Sequence, residues 1–292
     1  MKVALTGATG QVGQEIQRLL TGKSDIDLVA LDRNALDLSQ PDQSEEAIRK
    51  MKPDVVINTA AYTAVDKAEE EPELAALING KAPGALARGA AAVGAKLIHI
   101  STDYVFDGGH NTPYRETDLT QPLGSYGRSK QLGEELAQQE CDRTLILRTA
   151  WVYGARGHGN FVKTMLRLGK EREALKVVYD QIGSPTWSVD IARTIIQLLP
   201  QLGPDTYGIY HYTCSGVTSW YDFAIAVFEE ARQRGMSLAV KSVEPITTAE
   251  FPRPAQRPSY SVLGCEKIAK VLGSKPPHWR ESLRQMIAEL DI

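Results

Sequence analysis

Over the first 150 residues, short apolar runs alternate with longer stretches in which apolar residues recur at helical spacing. Val12, Ile16, Leu19 and Leu20 fall at i, i+4, i+7 and i+8, while Gln14, Gln17 and Arg18 point elsewhere. That periodicity predicts an amphipathic helix packed on a sheet. Apolar runs at 2–6, 28–31, 55–58, 97–100 and 145–147 are each separated by enough chain for a crossover helix. The pattern predicts right-handed βαβ units wound into a parallel sheet of five strands. The expected fold class is α/β, a Rossmann-like doubly wound parallel sheet with a smaller mixed α/β domain. After Trp151, proline and aromatic residues increase and strands shorten, with helices expected near 220–233 and 279–289. The division reads as one domain over 1–150 and a second over 151–292. Residues 183–200, through Gly183-Ser184-Pro185-Thr186 and a helix at 189–199, are a candidate return to the first.

Where the first strand meets the first helix stand Gly7, Gly10 and Gly13. A strand-turn-helix junction of this kind needs positive φ or close backbone approach, which glycine supplies without a Cβ clash. Free N–H groups at the helix start, aided by the helix dipole, bind a pyrophosphate. Gly7, Gly10, Gln11, Val12 and Gly13 are therefore the candidate phosphate loop of a dinucleotide site. Asp32 stands at the end of the second strand, where a carboxylate accepts hydrogen bonds from the adenosine ribose and favours NADH. Arg33 follows at once, and a guanidinium there pairs with a 2′-phosphate and favours NADPH. The cofactor is thus NADPH or NADH, with the balance toward NADPH. Asp37 and Leu38 are candidates to flank the adenine. Ala60, Ala61 and Tyr62, after the third apolar run, are placed for a backbone that passes close beneath a cofactor.

Hydride transfer to a ketone requires that a proton reach the oxygen, and a phenol of pKa near 10 is a weak acid without help. Tyr126 is followed by Lys130 one helical turn on, where an ammonium would favour tyrosinate and lower the phenol pKa. Lys130 is also a candidate to hold the nicotinamide ribose. Thr102, just past the fourth strand, lies at the carboxyl edge where open α/β sheets bind ligands, and its hydroxyl can reach the substrate oxygen. Tyr126, Lys130 and Thr102 are the candidate catalytic set. His99 belongs to a strand and reads as a packing or hydrogen-bonding residue. His110, His158, His211 and His278 form no ligand spacing, so no catalytic metal is expected.

Composition narrows the picture further. The chain has 292 residues, 42% hydrophobic and 24% charged, with a formal charge of −3. These are the proportions of a globular protein with no long-range field to gather nucleic acid or anionic lipid. Cys141, Cys214 and Cys265 are odd in number and widely spaced, as expected of free thiols in a reducing compartment. Met1-Lys2 leads directly into a strand with no signal-peptide pattern, and the apolar stretch 82–100 is broken by Pro83, Arg88, Lys96 and glycines. The expectation is a cytoplasmic protein without a membrane anchor.

Four longer motifs add specificity: the glycine loop 7–13, Thr63-Ala64-Val65-Asp66-Lys67-Ala68-Glu69, Ser101-Thr102-Asp103-Tyr104-Val105-Phe106-Asp107-Gly108, and Arg148-Thr149-Ala150-Trp151-Val152-Tyr153-Gly154. With Asn160-Phe161, the stretch 180–186 and Arg257-Pro258, they make the chain closely resemble the dTDP-4-dehydrorhamnose reductase family of extended short-chain dehydrogenases. The resemblance implies NAD(P)H-dependent reduction of the C4 ketone of dTDP-4-dehydro-L-rhamnose, the last step of dTDP-L-rhamnose synthesis. It implies a dinucleotide-binding first domain and a substrate-binding second one. Asp103 and Trp151 match positions that contact the sugar, Asn160 is a further substrate candidate, and Arg257 is placed to hold the diphosphate. Related dehydratases carry an acidic residue two positions after the threonine, where this chain has Tyr104, so a reductase fits better. Alternatives are a reductase or epimerase of another nucleotide-linked 4-ketosugar, and a non-catalytic regulatory subunit of the same fold. Some members bind magnesium through glutamates at a dimer interface. Glu15 matches one of these, but Val189 stands where a second carboxylate is expected, which speaks against the metal and that dimer. The assembly expected is a monomer or a homodimer.

Overall fold

The structure, a computed structural model, describes residues 1–157 and 159–290, so His158 and the last two residues of the expected second domain lie outside it. Its centre is a parallel sheet of β1 (Lys2–Thr6), β2 (Asp27–Leu31), β3 (Val55–Asn58), β4 (Lys96–Thr102), β5 (Thr144–Thr149) and β6 (Gly208–His211). Their spatial order is β6-β5-β4-β3-β1-β2. The central strands are nearly continuous apolar runs because helices cover both faces.

Alternation along each strand assigns its side chains to the two layers. Val3 and Leu5 of β1 join Ile57, Leu145 and Leu147 against Ile16 and Leu20 of the helix Gln11–Leu20. Ala4 points the other way, with Val56 and Leu97, against Ile48 of the helix Pro41–Met51 and Leu86 and Ala90 of the helix Ala82–Val93. The α/β class and the five strands expected from the sequence are present. β6 is an addition: the chain returns after Trp151 and pairs Ile209 with Ile146 and Tyr210 with Leu147 in parallel register. The helix Ser188–Leu198 returns with it, placing Ile191, Ala192, Ile195 and Leu198 in the same layer as Val3 and Ile16.

A second core gathers Tyr153, Val162, Leu166, Phe223, Val227, Leu283 and Met286. It draws on the helices Phe161–Glu171, Trp220–Gln233 and Trp279–Ala288. Asn160 and Ser219 cap the first two through side-chain oxygens that accept from Lys163 N–H and Asp222 N–H, the arrangement that satisfies otherwise orphaned helix-start donors. Winding reverses between β1 and β3, where Thr6 and Asn58 lie side by side at the strands' carboxyl ends. A crevice at such a reversal is where open α/β sheets take ligands. Among the described residues, no helix is long and apolar enough to cross a membrane.

Candidate active site

The glycine loop sits at this reversal. Gly7 has φ of 75°, and a Cβ there would stand 2.6 Å from the backbone nitrogen of Ala60. At Gly13 a Cβ would lie 2.2 Å from the Gly7 carbonyl oxygen. Both contacts are with backbone, which cannot swing aside, so only glycine brings the turn this close to β3 and to the following helix. The Gly10 N–H donates to the Gly7 carbonyl. The helix then starts at Gln11 without a side-chain cap and without an acidic residue in its first turn. Its leading N–H groups and positive dipole end are left for an anion. The Gln11 side chain faces away, accepting from Asn160 at 2.8 Å, and Val12 is buried. These features fit a dinucleotide pyrophosphate.

Asp32 directly follows β2 and accepts from the Ala35 N–H. Arg33 is 79% exposed, and Asp37 stands 3.9 Å from its Nε. That distance is too long for a tight pair, so the guanidinium is available to a ligand. Asp37 is held below the usual carboxylate range, first by the Ser39 N–H. Leu38 is buried. Ala60 and Ala61 are half-buried, Ala60 lying against Gly7. Tyr62 is pinned by Asn79, which accepts from its N–H and donates to its carbonyl.

Thr102 ends β4, and the helix Ser125–Glu140 carries Tyr126 and Lys130 toward it. The Thr102 hydroxyl donates to Asp103 Oδ1 at 3.0 Å and accepts from the Tyr104 N–H. Burial pushes the Tyr126 phenol up to about 12, eased by the Thr102 hydroxyl. Its ring lies edge-on to Tyr104, with centroids 5.4 Å apart. Burial likewise pushes Asp103 up to about 6, against the pull of the Ser261 and Thr102 hydroxyls.

Lys130 departs from the sequence-based expectation. Its ammonium nitrogen is buried and donates to the Ile100 carbonyl at 2.6 Å, with His99 Nε2 on another side at 3.5 Å. Lys130 is itself pushed down to about 8 by burial, with Glu134 opposing. The phenol is therefore not lowered by Lys130 in this structure. Desolvation outweighs the expected charge effect.

Beneath Lys130 runs a polar chain in which His99 makes the hydrogen bonds expected of it, but whose other members the sequence does not announce. Thr6 donates to Asn58 Oδ1 at 2.6 Å, and Asn58 Nδ2 lies 3.0 Å from His99 Nδ1. All three side chains are fully buried or nearly so. Their one sequence signal is polarity inside apolar strand runs. A second missed group lies nearby: Arg148 of β5 grips Glu134 through Nε at 2.8 Å and Nη2 at 2.6 Å.

The substrate candidates fall in different environments. Trp151 has φ of 48°, uncommon for a residue with a side chain. It stacks on Trp220 at 3.5 Å, and a Cβ on Gly183 would stand 2.5 Å from its ring. The aromatic partner and the missing Cβ together fix the indole in place. Arg257 pairs with Asp66, Nη2 to Oδ2 at 3.1 Å, linking the 63–69 motif to the C-terminal region. Asn160 is committed to structure: it caps its helix, and its amide nitrogen donates to Gln11 and to the Gly154 carbonyl.

Glu15 is fully buried and accepts from Arg18 at 2.7 Å and Arg156 at 3.1 Å, while Arg156 also reaches Glu289. Val189 is buried in the aromatic second core. Among the described residues, no group of three or more His, Cys, Asp or Glu is arranged to hold a metal ion.

Comparison with known proteins bears on this geometry as a whole. A family model described as the RmlD substrate binding domain matches residues 1–292. The chain is 45% identical to the dTDP-4-dehydrorhamnose reductase of Escherichia coli K12, over 99% of this chain and 98% of that one. A crystal structure of a dTDP-4-dehydrorhamnose reductase from Clostridium acetobutylicum superposes with a TM-score of 0.91 at 43% identity, covering 99% of both chains. The Bacillus anthracis dTDP-4-dehydrorhamnose reductase, solved in complex with NADP, gives a TM-score of 0.91 at 38% identity, again over 99% of both chains. The resemblance carried by the sequence motifs therefore holds over the full length, and this chain belongs to the dTDP-4-dehydrorhamnose reductase family.

Proposed function

We propose that this protein reduces the C4 ketone of dTDP-4-dehydro-L-rhamnose with a nicotinamide cofactor, forming dTDP-L-rhamnose. The observation that carries the reading is a shared location. The glycine loop after β1 and the Thr102, Tyr126 and Lys130 set at the end of β4 occupy one edge of the parallel sheet. When bound, the cofactor supplies hydride to the ketone carbon. Tyr126 donates its proton to the ketone oxygen; its raised pKa keeps that proton in place across the working pH range. Thr102 orients the substrate oxygen. Lys130 holds the nicotinamide ribose hydroxyls. Trp151 walls the sugar and Asp103 binds its hydroxyls. Arg257 turns from Asp66 to the diphosphate, a charge-assisted contact. The first core with β6 carries the cofactor, and the second core carries the sugar.

The reading includes no magnesium. Both carboxylate oxygens of Glu15 are already paired, one with Arg18 and one with Arg156. Mixing the protein with reduced cofactor and the ketosugar, and following the reduced-nicotinamide absorbance, tests the reaction. Consumption of one cofactor per sugar supports it, whereas sugar conversion without consumption would instead mark an epimerase.

We assign NADPH as the preferred cofactor, through Arg33. A charge-assisted hydrogen bond to a phosphate contributes roughly 1.5–3 kcal/mol, so Arg33→Ala should weaken NADPH by about tenfold or more and leave NADH nearly unchanged. Titration of both cofactors by fluorescence reads this out, and equal losses would remove the role.

A further inference from the structure

We propose that His99 is a positioning residue held in its Nε2–H tautomer by Thr6, Asn58 and Ala60, and that this tautomer sets how readily Lys130 carries its proton. The proposal rests on the reductase reading for the role of Lys130, but the tautomer itself does not.

The amide orientation of Asn58 is the starting point. Its Oδ1 accepts from the Ala60 backbone N–H at 3.2 Å and from the Thr6 hydroxyl at 2.6 Å. A flipped amide would set its NH₂ against the Ala60 N–H, two donors facing each other, so Nδ2 must point at His99. Nδ2 is a donor, and the ring atom it meets at 3.0 Å is Nδ1. Nδ1 is then an acceptor, and a neutral imidazole with Nδ1 unprotonated carries its hydrogen on Nε2. That N–H faces the Lys130 nitrogen at 3.5 Å.

An N–H aimed at an ammonium repels it, while the same N–H aimed at a neutral amine meets a lone pair. The tautomer therefore favours the neutral form of Lys130, and a hydrogen bond to the neutral form lowers the pKa of a base. Glu134, one turn along its own helix and paired with Arg148 from β5, also bears on Lys130, while Tyr126, one turn before, interacts with Thr102 and Asp103. Glu134 draws Lys130 toward its cation, so His99 and burial act against it. Burial lowers the proton affinity of both groups, and the Lys130 charge pushes the buried His99 further toward its neutral form.

Two measurements decide the matter. In the wild-type protein without cofactor or substrate, the imidazole nitrogen chemical shifts of isotopically labelled His99 should show a neutral ring protonated at Nε2. A ring protonated at Nδ1, or an imidazolium at neutral pH, would overturn the proposal whatever reaction the protein catalyses. The second measurement uses Asn58→Asp, which keeps Oδ1 for Ala60 and Thr6 but presents an acceptor to His99. The hydrogen should move to Nδ1, leaving the Nε2 lone pair to receive the Lys130 ammonium. The alkaline limb of the kcat/KM profile should then shift upward by roughly half to one pH unit, the worth of one hydrogen bond. An inverted tautomer with an unmoved limb refutes the coupling. A limb that moves while the tautomer stays assigns the effect to the added carboxylate and refutes it equally.

Discussion

Tyr126→Phe should lower kcat by roughly 10²- to 10⁴-fold, the contribution of a positioned proton donor, while leaving fold and cofactor affinity intact. The substitution removes one hydroxyl and keeps the ring that packs edge-on against Tyr104. It leaves the glycine loop untouched, because that loop is shaped by backbone contacts among Gly7, Gly13 and Ala60. A fall in kcat with nearly constant cofactor Kd separates loss of the acid from loss of binding. The same variant tests the partner-binding alternative, since a regulatory subunit would be indifferent to the missing hydroxyl. Steady-state rates beside a cofactor titration provide the comparison, and a variant retaining more than about a tenth of the wild-type rate would remove Tyr126 from the acid role.

Arg148→Met should destabilise the fold by about 3–5 kcal/mol, the cost of leaving one partner of a buried ion pair alone. Arg148 and Glu134 have side chains only 3% and 4% exposed, and two parallel hydrogen bonds join them. The guanidinium also lies 5.1 Å from the centre of the Phe106 ring. His211 cannot replace it as a cation. Burial first, and Arg148 second, push that imidazole down to about 3, and the burial remains when Arg148 is removed. Replacing both partners, Arg148→Met with Glu134→Leu, should recover much of the loss, because no charge is then stranded. Urea denaturation of the two variants gives the test. A single variant within about 1 kcal/mol of wild type would mean that water reaches Glu134 and that the pair is not buried in solution.

Much of this organisation is legible in the chain because it follows from local rules. Apolar runs of strand length separated by helical periodicity specify a parallel α/β sheet, and the first five strands fall where the runs are. Gly7 and Gly13 announce close backbone approach before any partner is known. What the sequence withholds is set by tertiary neighbours. β6 is four residues long, begins with a glycine and lies in aromatic-rich chain, so its pairing with β5 becomes visible only when the sheet is assembled. The spacing of Tyr126 and Lys130 places both on one helix face. It does not say that the Lys130 nitrogen turns to the Ile100 carbonyl, which β4 supplies from elsewhere in the chain. His99 reads as a strand residue that packs or hydrogen-bonds, but its partners Asn58 and, beyond it, Thr6 come from other strands, and their hydrogen bonds exist only across the sheet. Trp151 is prominent in the sequence, whereas Trp220 and Gly183, which hold it, carry no local sign of that task.

The most direct test of the central claim is to supply the protein with a reduced nicotinamide cofactor deuterated at the transferred position, together with dTDP-4-dehydro-L-rhamnose, and to locate the label in the product. Deuterium at C4 of dTDP-L-rhamnose, one per cofactor oxidised, is the expected result. Product without deuterium, or deuterium on a different carbon, would contradict hydride transfer to the C4 ketone at this site.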